Sequence, residues 1–584
     1  METAIVLVIL GVIVIGVAAG LAPRVNVAGP LLLVIAGLAV SLLPFVPAVE
    51  IDPEIILVGI LPPLLYSAAV SLPAIEFRRD FGPISGLSVL LVIITTLTLA
   101  GFFLWAVPEL GLLLSIALGA ILSPTDAVAT SIVKRLGLSR RVVTMLEGES
   151  LLNDATSLVL LRTAIAAAAA GGAVAAGEFA GAFAWGVLVA IAAGALVGFL
   201  ALRLRVWVGD SAANTAISFV VPFAAYLPTE HLGGSGLVAA VVAGIVTGQG
   251  SARWFTAEQR LSDALNWRTI EVVLEGAIFL IMGLELKDLW LQNLAEQGGP
   301  QRAIVLAVAA LAIVLVVRTG YVALLVLLQG RRAHAKRERL GALDARIDAY
   351  EDVYLDDPPP TPVDRRGRSV ERHRVERRLT VWRRRVRREL ADLDYYQASP
   401  LGWKHGGIIV WAGMRGVVTL AAAQTLPRET PARELLILTA FLVAIISLLV
   451  QGFTLPWFSR LLKLPPESDD LSRDERDRID AALRDAAQQT LESPDLARPD
   501  GTPFPPALLS HVGTRMSEAP DEDESAAVRD RLHLRLVLLA AMRTRLGTLA
   551  RSGISSGALR HALAELDAEE LNLRLRLKGE GDGE

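Results

Sequence analysis

The sequence contains no cysteine, which excludes a disulfide scaffold, thiol chemistry and a cysteine-ligated metal site. Charge is also scarce: Asp, Glu, Lys and Arg make up 20% of 584 residues, against 53% hydrophobic residues and a mean hydropathy of +0.50. A soluble enzyme of this length is not so apolar. There is no Walker loop, so nucleotide hydrolysis by this chain does not drive its work, and no dinucleotide fingerprint follows a strand. Met1 is followed by Glu2 and the first basic residue is Arg24, so the first apolar run lacks the basic start of a cleaved signal peptide.

Long apolar runs are what the chain has in abundance. Thirteen blocks of roughly 17 to 28 residues are separated by polar loops, and about 20 apolar residues cross a bilayer as helix. They lie at roughly 3 to 22, 28 to 46, 54 to 73, 84 to 107, 110 to 135, 142 to 170, 178 to 206, 212 to 228, 233 to 250, 270 to 287, 302 to 330, 402 to 426 and 434 to 462. The expected fold class is an all-α polytopic membrane protein with thirteen transmembrane helices.

The net charge of −4 hides local contrasts. Lys and Arg gather in alternate loops, at Arg78 and Arg79, at Lys134, Arg135, Arg140 and Arg141, at Arg203 and Arg205, and at Arg253, Arg260 and Arg268. Acidic residues such as Glu50, Asp52, Glu109, Glu178 and Glu230 occupy the loops between. The positive-inside rule then places the N-terminus outside and the C-terminus in the cytoplasm of a cell whose inner or plasma membrane holds the protein. Residues 1–330 and 402–463 form the expected membrane domain. Residues 331–401 read as an Arg-rich cytosolic helical hairpin broken at Pro358-Pro359-Pro360, with anionic lipid headgroups as its natural partners. Residues 464–584 read as an acidic cytosolic tail ending in an amphipathic helical stretch from about 526 to 577.

An ionisable side chain at bilayer depth costs about 2.5–3.5 kcal/mol on insertion scales and is a functional candidate by default. The fifth span carries Ser123-Pro124-Thr125-Asp126. Pro124 lacks a backbone N–H and its ring clashes with the carbonyl four residues back, so the helix should break just ahead of Asp126. Broken helices of this kind line ion sites in transporters. In the sixth span Ser150, Asn153 and Asp154 stand at i, i+3 and i+4 and share one helical face. Carboxylate, hydroxyl and carbonyl oxygens of this sort suit hard cations such as sodium. In the twelfth span Arg415 lies between Gly413 and Gly416, too deep to snorkel, and is expected to pair with a buried acid. Glu149 is the first choice and Glu275 the competitor. That leaves Asp126 and Asp154, two carboxylates that cannot both stay ionised in a low dielectric and must bind a proton or a cation. Mutually exclusive occupancy by proton and cation is the minimal chemistry of antiport.

At these residues the sequence resembles the bacterial sodium/proton exchangers of the monovalent cation:proton antiporter superfamily. The strings that carry the resemblance are Leu61 to Tyr66, Ser123 to Ala129, Glu147 to Thr156, Ser235-Gly236, Glu275 to Leu284, Gly413 to Thr419 and Val450 to Thr454. It implies two inverted six-helix repeats joined by the seventh span, in which discontinuous fifth and twelfth helices cross beside the ion. It implies Asp154 as main carrier of cation and proton, with Asp126, Ser150 and the Thr125 carbonyl as co-ligands beside Asn153. Glu149 with Arg415 would be the structural ion pair, and Glu275 and Pro124 would support the site. It implies no cofactor: the substrates are Na+, with Li+ or K+ as alternatives, and H+, exchanged by a homodimer. The Asn153-Asp154 pair is associated in the family with electroneutral exchange. One departure stands out: where some prokaryotic relatives carry a glutamate, this chain has Ser67, which supplies a hydroxyl or a water in its place.

Two rival classes make different demands. Gly233-Gly234-Ser235-Gly236 fits the Gly-x-Ser-Gly pattern of intramembrane serine proteases, which need a histidine at membrane depth; His231 and His405 lie only at span ends. An ion-gradient-driven carrier of an organic solute would show an aromatic or amide pocket around the broken helix, and the spans show clustered carboxylates instead. No feature points to nucleic acid.

Overall fold

The computed structural model describes residues 2–25, 27–43, 52–170, 176–294, 299–356 and 401–464, apart from the side chains of 2–7, 330–356 and a few single positions, together with scattered positions from 488 to 573. The chain divides into two units, Met1–Pro466 and Glu467–Glu584.

In the first unit the regular elements are helices. In chain order they are α1 (Glu2–Val25), α2 (Gly29–Ser41), α3 (Leu61–Ser71), α4 (Ala74–Arg79), α5 (Phe81–Ser85), α6 (Leu91–Ala106), α7 (Gly111–Leu122), α8 (Val128–Arg135), α9 (Arg140–Ala169), α10 (Ala176–Val208), α11 (Ser211–His231), α12 (Gly236–Trp254), α13 (Ala257–Leu294), α14 (Gly299–Asp356), α15 (Trp403–Trp411), α16 (Val417–Gln424) and α17 (Arg433–Leu462). Among the described residues six helical stretches are long and apolar enough to cross a membrane unaided: Val8–Val25, Phe81–Ala106, Arg140–Ala169, Gly177–Val208, Pro300–Gln329 and Arg433–Leu462. The other expected spans fall short of that criterion for local reasons. Some are cut by proline or glycine breaks, and α13 extends the expected 270–287 span at both ends with charged residues such as Arg260, Arg268 and Asp288.

The breaks follow from backbone chemistry. Pro62 and Pro63 withdraw two N–H donors at the start of α3, and the turn before it widens into a π-helix at Ile55–Ile60. Pro124 stops α7, and the chain runs non-helically until α8 resumes at Val128. The second interruption, between α15 and α16, spans 412–416 and contains two glycines. Elsewhere small residues permit close crossings. A Cβ on Gly37 of α2 would strike the Leu280 carbonyl of α13, and one on Gly283 would strike the Val34 carbonyl of α2.

The eleventh span is not followed by a separate helix. α14 runs unbroken for 58 residues through Asp356, so the first half of the Arg-rich insertion is a direct extension of the membrane helix. Its second half, with the Pro358-Pro359-Pro360 break, lies outside the described residues. In the second unit, the described helical positions bury Leu532 and Leu539 with Leu566 and Leu573, and Arg535 pairs with Glu569 at 2.6 Å. The expected amphipathic end therefore consists of two stretches packed on each other.

Candidate functional site

The two interruptions meet. The Asp126 backbone N–H donates to the Met414 carbonyl at 2.7 Å, which joins the α7–α8 break to the α15–α16 break. The Asp126 carboxylate accepts the Val128 N–H at 2.8 Å, at the positive end of α8. It also lies against the Gly416 Cα: a Cβ at that position would occupy the space of the carboxylate. Gly416 is thus required for room at the start of α16, not for an unusual φ.

Arg415 corrects the expected pairing. Its guanidinium donates to the carbonyls of Leu122 at 3.2 Å, Ser123 at 3.4 Å and Gly413, and its backbone N–H donates to Ser447 Oγ at 2.9 Å. These carbonyls close the truncated helices α7 and α15, where four acceptors have lost their partners and the helix dipole is negative. A buried cation there satisfies both. Glu149 is instead paired with Arg318 of α14, whose Nη2 reaches Oε2 at 2.9 Å while Nη1 meets Oε1. Arg318 also donates twice to the Ile409 carbonyl, at 3.0 and 2.8 Å, so it ties α9, α14 and α15 together. Sequence reasoning missed Arg318, although an arginine inside an apolar run, Val316-Val317-Arg318-Thr319-Gly320, is the kind of signal that singled out Arg415.

A hydrogen-bonded chain leads from this ion pair to the sixth span's polar face. Asn153 Nδ2 donates to Thr125 Oγ1 at 2.6 Å, and Thr125 Oγ1 donates to Glu149 Oε1 at 3.2 Å. Asn153 Oδ1 has no hydrogen-bond partner among the described residues, though it is fully enclosed.

A cavity of about 690 Å³ opens beside the crossing. Pro124, Thr125, Asp126, Ser150, Asp154 and Glu275 all line it. Lys134, Arg135, Glu147, Arg268 and Glu271 line it too, from the last turn of α8, the first third of α9 and the first half of α13, and they form a charged mouth. Asp154 is 7% exposed, and no hydrogen bond to its carboxylate is found among the described residues. Two expectations fall away from this cavity. Ser67 is buried but does not line it: the lining face of α3 is Leu61, Leu64, Leu65, Ala68 and Ser71, at helical spacing, and Ser67 points off that stripe. Asn153 belongs to the layer behind, holding Thr125. Glu275, the competitor for Arg415, faces the cavity instead.

Ser235 caps α12 by accepting the Val238 N–H, and His231 Nδ1 is engaged with the Leu227 carbonyl at 2.7 Å. Each is occupied locally, as a helix cap and a helix-end contact, so the Gly-x-Ser-Gly pattern marks a turn between α11 and α12.

The sequence matches the profile of the sodium/hydrogen exchanger, transmembrane family over residues 8–342 and 386–461. An uncharacterised Na+/H+ exchanger of Mycobacterium tuberculosis is 28% identical over 591 residues, covering 97% of this chain and 96% of the relative. The uncharacterised Na+/H+ exchanger YjcE of Escherichia coli is 38% identical over 247 residues, 41% of this chain and 45% of its own length. A sodium, potassium, lithium and rubidium/H+ antiporter of Bacillus pumilus is 31% identical over 273 residues, 44% of this chain and 40% of its own. The fold is similar to that of the sodium proton antiporter MjNhaP1 from Methanocaldococcus jannaschii, with a TM-score of 0.54 at 16% identity over 79% of this chain and 99% of that one. With the family profile covering most of the chain and apolar helices crossing a bilayer, this multi-pass membrane protein belongs to the sodium/hydrogen exchanger family, whose members are transporters rather than enzymes.

Proposed function

We propose that the protein is a secondary antiporter that exchanges a monovalent cation, Na+ first and Li+ or K+ after it, for H+ in an electroneutral one-for-one cycle. The observation that carries this reading is Asp154: a carboxylate buried at the helix crossing, without a hydrogen-bond partner among the described residues, in the same cavity as Asp126. An ionised carboxylate in that setting needs a countercharge, and proton and cation serve alternately. Asp126, Ser150 and the Thr125 carbonyl complete an oxygen ligand set suited to a hard monovalent cation. The Thr125 side chain takes no part in the exchange; it is held by Asn153 and Glu149 so that its carbonyl stays in place. The Glu149–Arg318 pair and the Arg415 cap fix the frame around the moving charge.

In this reading the molecule has thirteen spans in two inverted six-helix repeats, sits in the inner or plasma membrane as a homodimer with its N-terminus outside, and keeps residues 331–401 and 464–584 in the cytosol, the Arg-rich insertion near anionic lipid. The charged mouth, with Lys134, Arg135 and Arg268 beside Glu147 and Glu271, then faces the cytoplasm. The test is proton movement in proteoliposomes, followed with a pH-sensitive dye on adding NaCl, LiCl or KCl, with and without a potential clamp. Cation-dependent proton efflux that ignores the clamp is the expected result. Silence toward all three cations from folded protein would transfer the site to another substrate.

A further inference from the structure

The side of α9 that faces away from the cavity mouth carries an ion pair that the exchange reaction does not use. On α9 the cavity is lined by Glu147, Ser150, Leu151 and Asp154 and by nothing further along the helix. Arg162 lies eight residues past Asp154, about 12 Å along the axis. Its guanidinium pairs with the Glu230 carboxylate near the end of α11, and Nη2 also reaches the Tyr226 hydroxyl at 3.4 Å. Glu230 is itself held, because its second oxygen accepts the Gly236 N–H at the start of α12 at 2.7 Å. Between Asp154 and this pair, Ala155 and Val159 are buried in one apolar cluster with Tyr66, Val221 and Ala225. Ala155, Val159 and Arg162 stand at i, i+4 and i+7, so one face of α9 meets its neighbours first through apolar packing and then through the ion pair.

The placement is telling. The Arg162 side chain is 44% exposed and that of Glu230 23%, and Glu230 stands one residue before the end of α11, so the pair lies at the edge of the bundle beside the α11–α12 turn, and a pair so exposed contributes little to overall stability. It joins the helix that carries Asp154 to the α11–α12 turn. We propose that Arg162–Glu230 is the latch that keeps the ion path shut on the side away from the cavity, with Val159 and its cluster as the seal behind it. This rests on the antiport reading, which requires that the path open to one side at a time. Releasing the latch shifts the balance toward the state open on the Arg162 side, by no more than the interaction favours the closed one.

The chain has no cysteine of its own, so Val159→Cys supplies the only thiol. Val159 is 5% exposed. Reaction with a membrane-impermeant maleimide is measured in intact cells and in inside-out vesicles, and is expected to be slow in both. Arg162→Gln and Glu230→Gln, which keeps an acceptor for Gly236, should each raise labelling by about two- to fivefold in one preparation only, the one that exposes the Arg162 side. Exchanging the charges, R162E with E230R, should restore the slow rate. Unchanged labelling in folded single variants overturns the proposal, and so does a rise in both preparations, which marks loosened packing. If Arg162→Gln does not accumulate, Arg162→Lys, which keeps one charge and loses the reach to Tyr226, should give a smaller one-sided rise, and none overturns the latch. Labelling needs no transport, so the same series in an Asp154→Asn background separates failure of the latch from failure of the ion-carrier reading.

Discussion

Arg205 and Asp263, in the α10–α13 region, and Asp154, at the helix crossing, are buried charges handled in opposite ways. Arg205 is surrounded by fixed partners: Asp263 at 2.7 Å, Asn214 at 2.8 and 2.6 Å, and the Phe255 ring 4.5 Å from its guanidinium carbon. The helices that carry Arg205, Asn214 and Asp263, α10, α11 and α13, are continuous, and Phe255 lies in the turn after α12. At the crossing, both helical paths are interrupted, between α7 and α8 and between α15 and α16, and the frame charges are matched within themselves, Glu149 by Arg318 and Arg415 by helix-end carbonyls. Asp154 is left facing a cavity. A charge matched by side chains fixes a structure; a charge left to a mobile counterion gives that structure a substrate.

The comparison can be broken most sharply at Asp154. Asp154→Asn removes the titrating group, so cation-driven proton efflux from proteoliposomes should fall to the protein-free background while the purified protein stays folded and elutes as the parent does. Exchange that persists with its pH dependence intact would sink the assignment. Next come the matched charges. Arg318→Ala strands Glu149 in the bundle, at about 3–5 kcal/mol for removing one partner of a buried pair, and should be seen as lost yield and a lowered unfolding temperature; pairing it with Glu149→Leu should recover much of the loss, which a double-mutant cycle reads.

A smaller effect follows from proton competition. Protonation of the carboxylate displaces the cation, so acidification weakens cation binding: where the proton dominates, the half-saturating cation concentration rises about tenfold per unit fall in pH, and it flattens once the site is deprotonated at higher pH. A half-saturating concentration independent of pH would separate the two sites. Gly416→Ala should reduce exchange and leave the fold in place, because the added methyl takes the space of the Asp126 carboxylate; initial rates and thermal unfolding together test it. Ser67→Ala should change the rate by less than about twofold, as expected for a surface of α3 turned from the cavity and for substitutions outside named mechanisms. A large change of cation selectivity would return Ser67 to the site.

The breaks were legible in the sequence because they are local. Pro124 and the Gly413–Gly416 stretch act on the backbone within a few residues, and the i, i+3, i+4 spacing of Ser150, Asn153 and Asp154 needs only helical geometry. What could not be read was partnership. Glu149 had two buried arginines to choose from, and the choice depends on how α14 packs against α9. The truncated ends of α7 and α15 offered Arg415 an alternative to a carboxylate, which residue counting does not reveal. Ser67 failed for a related reason: a resemblance supplies a position along α3, whereas the helix's rotation against α12 and α13 decides which stripe meets the cavity.

The unbroken course of α14 has a mechanical consequence. At 58 residues it is about 87 Å long, and Arg318 clamps it to Glu149 and Ile409 within the bundle while Gln329 touches the Arg141 guanidinium, itself bound to Asp80. A rod of that length acts as a lever arm: each degree of tilt about one end sweeps the other by about 1.5 Å. Angular changes at the crossing too small to see in the bundle become displacements at the far tip of α14 that a distance probe can read.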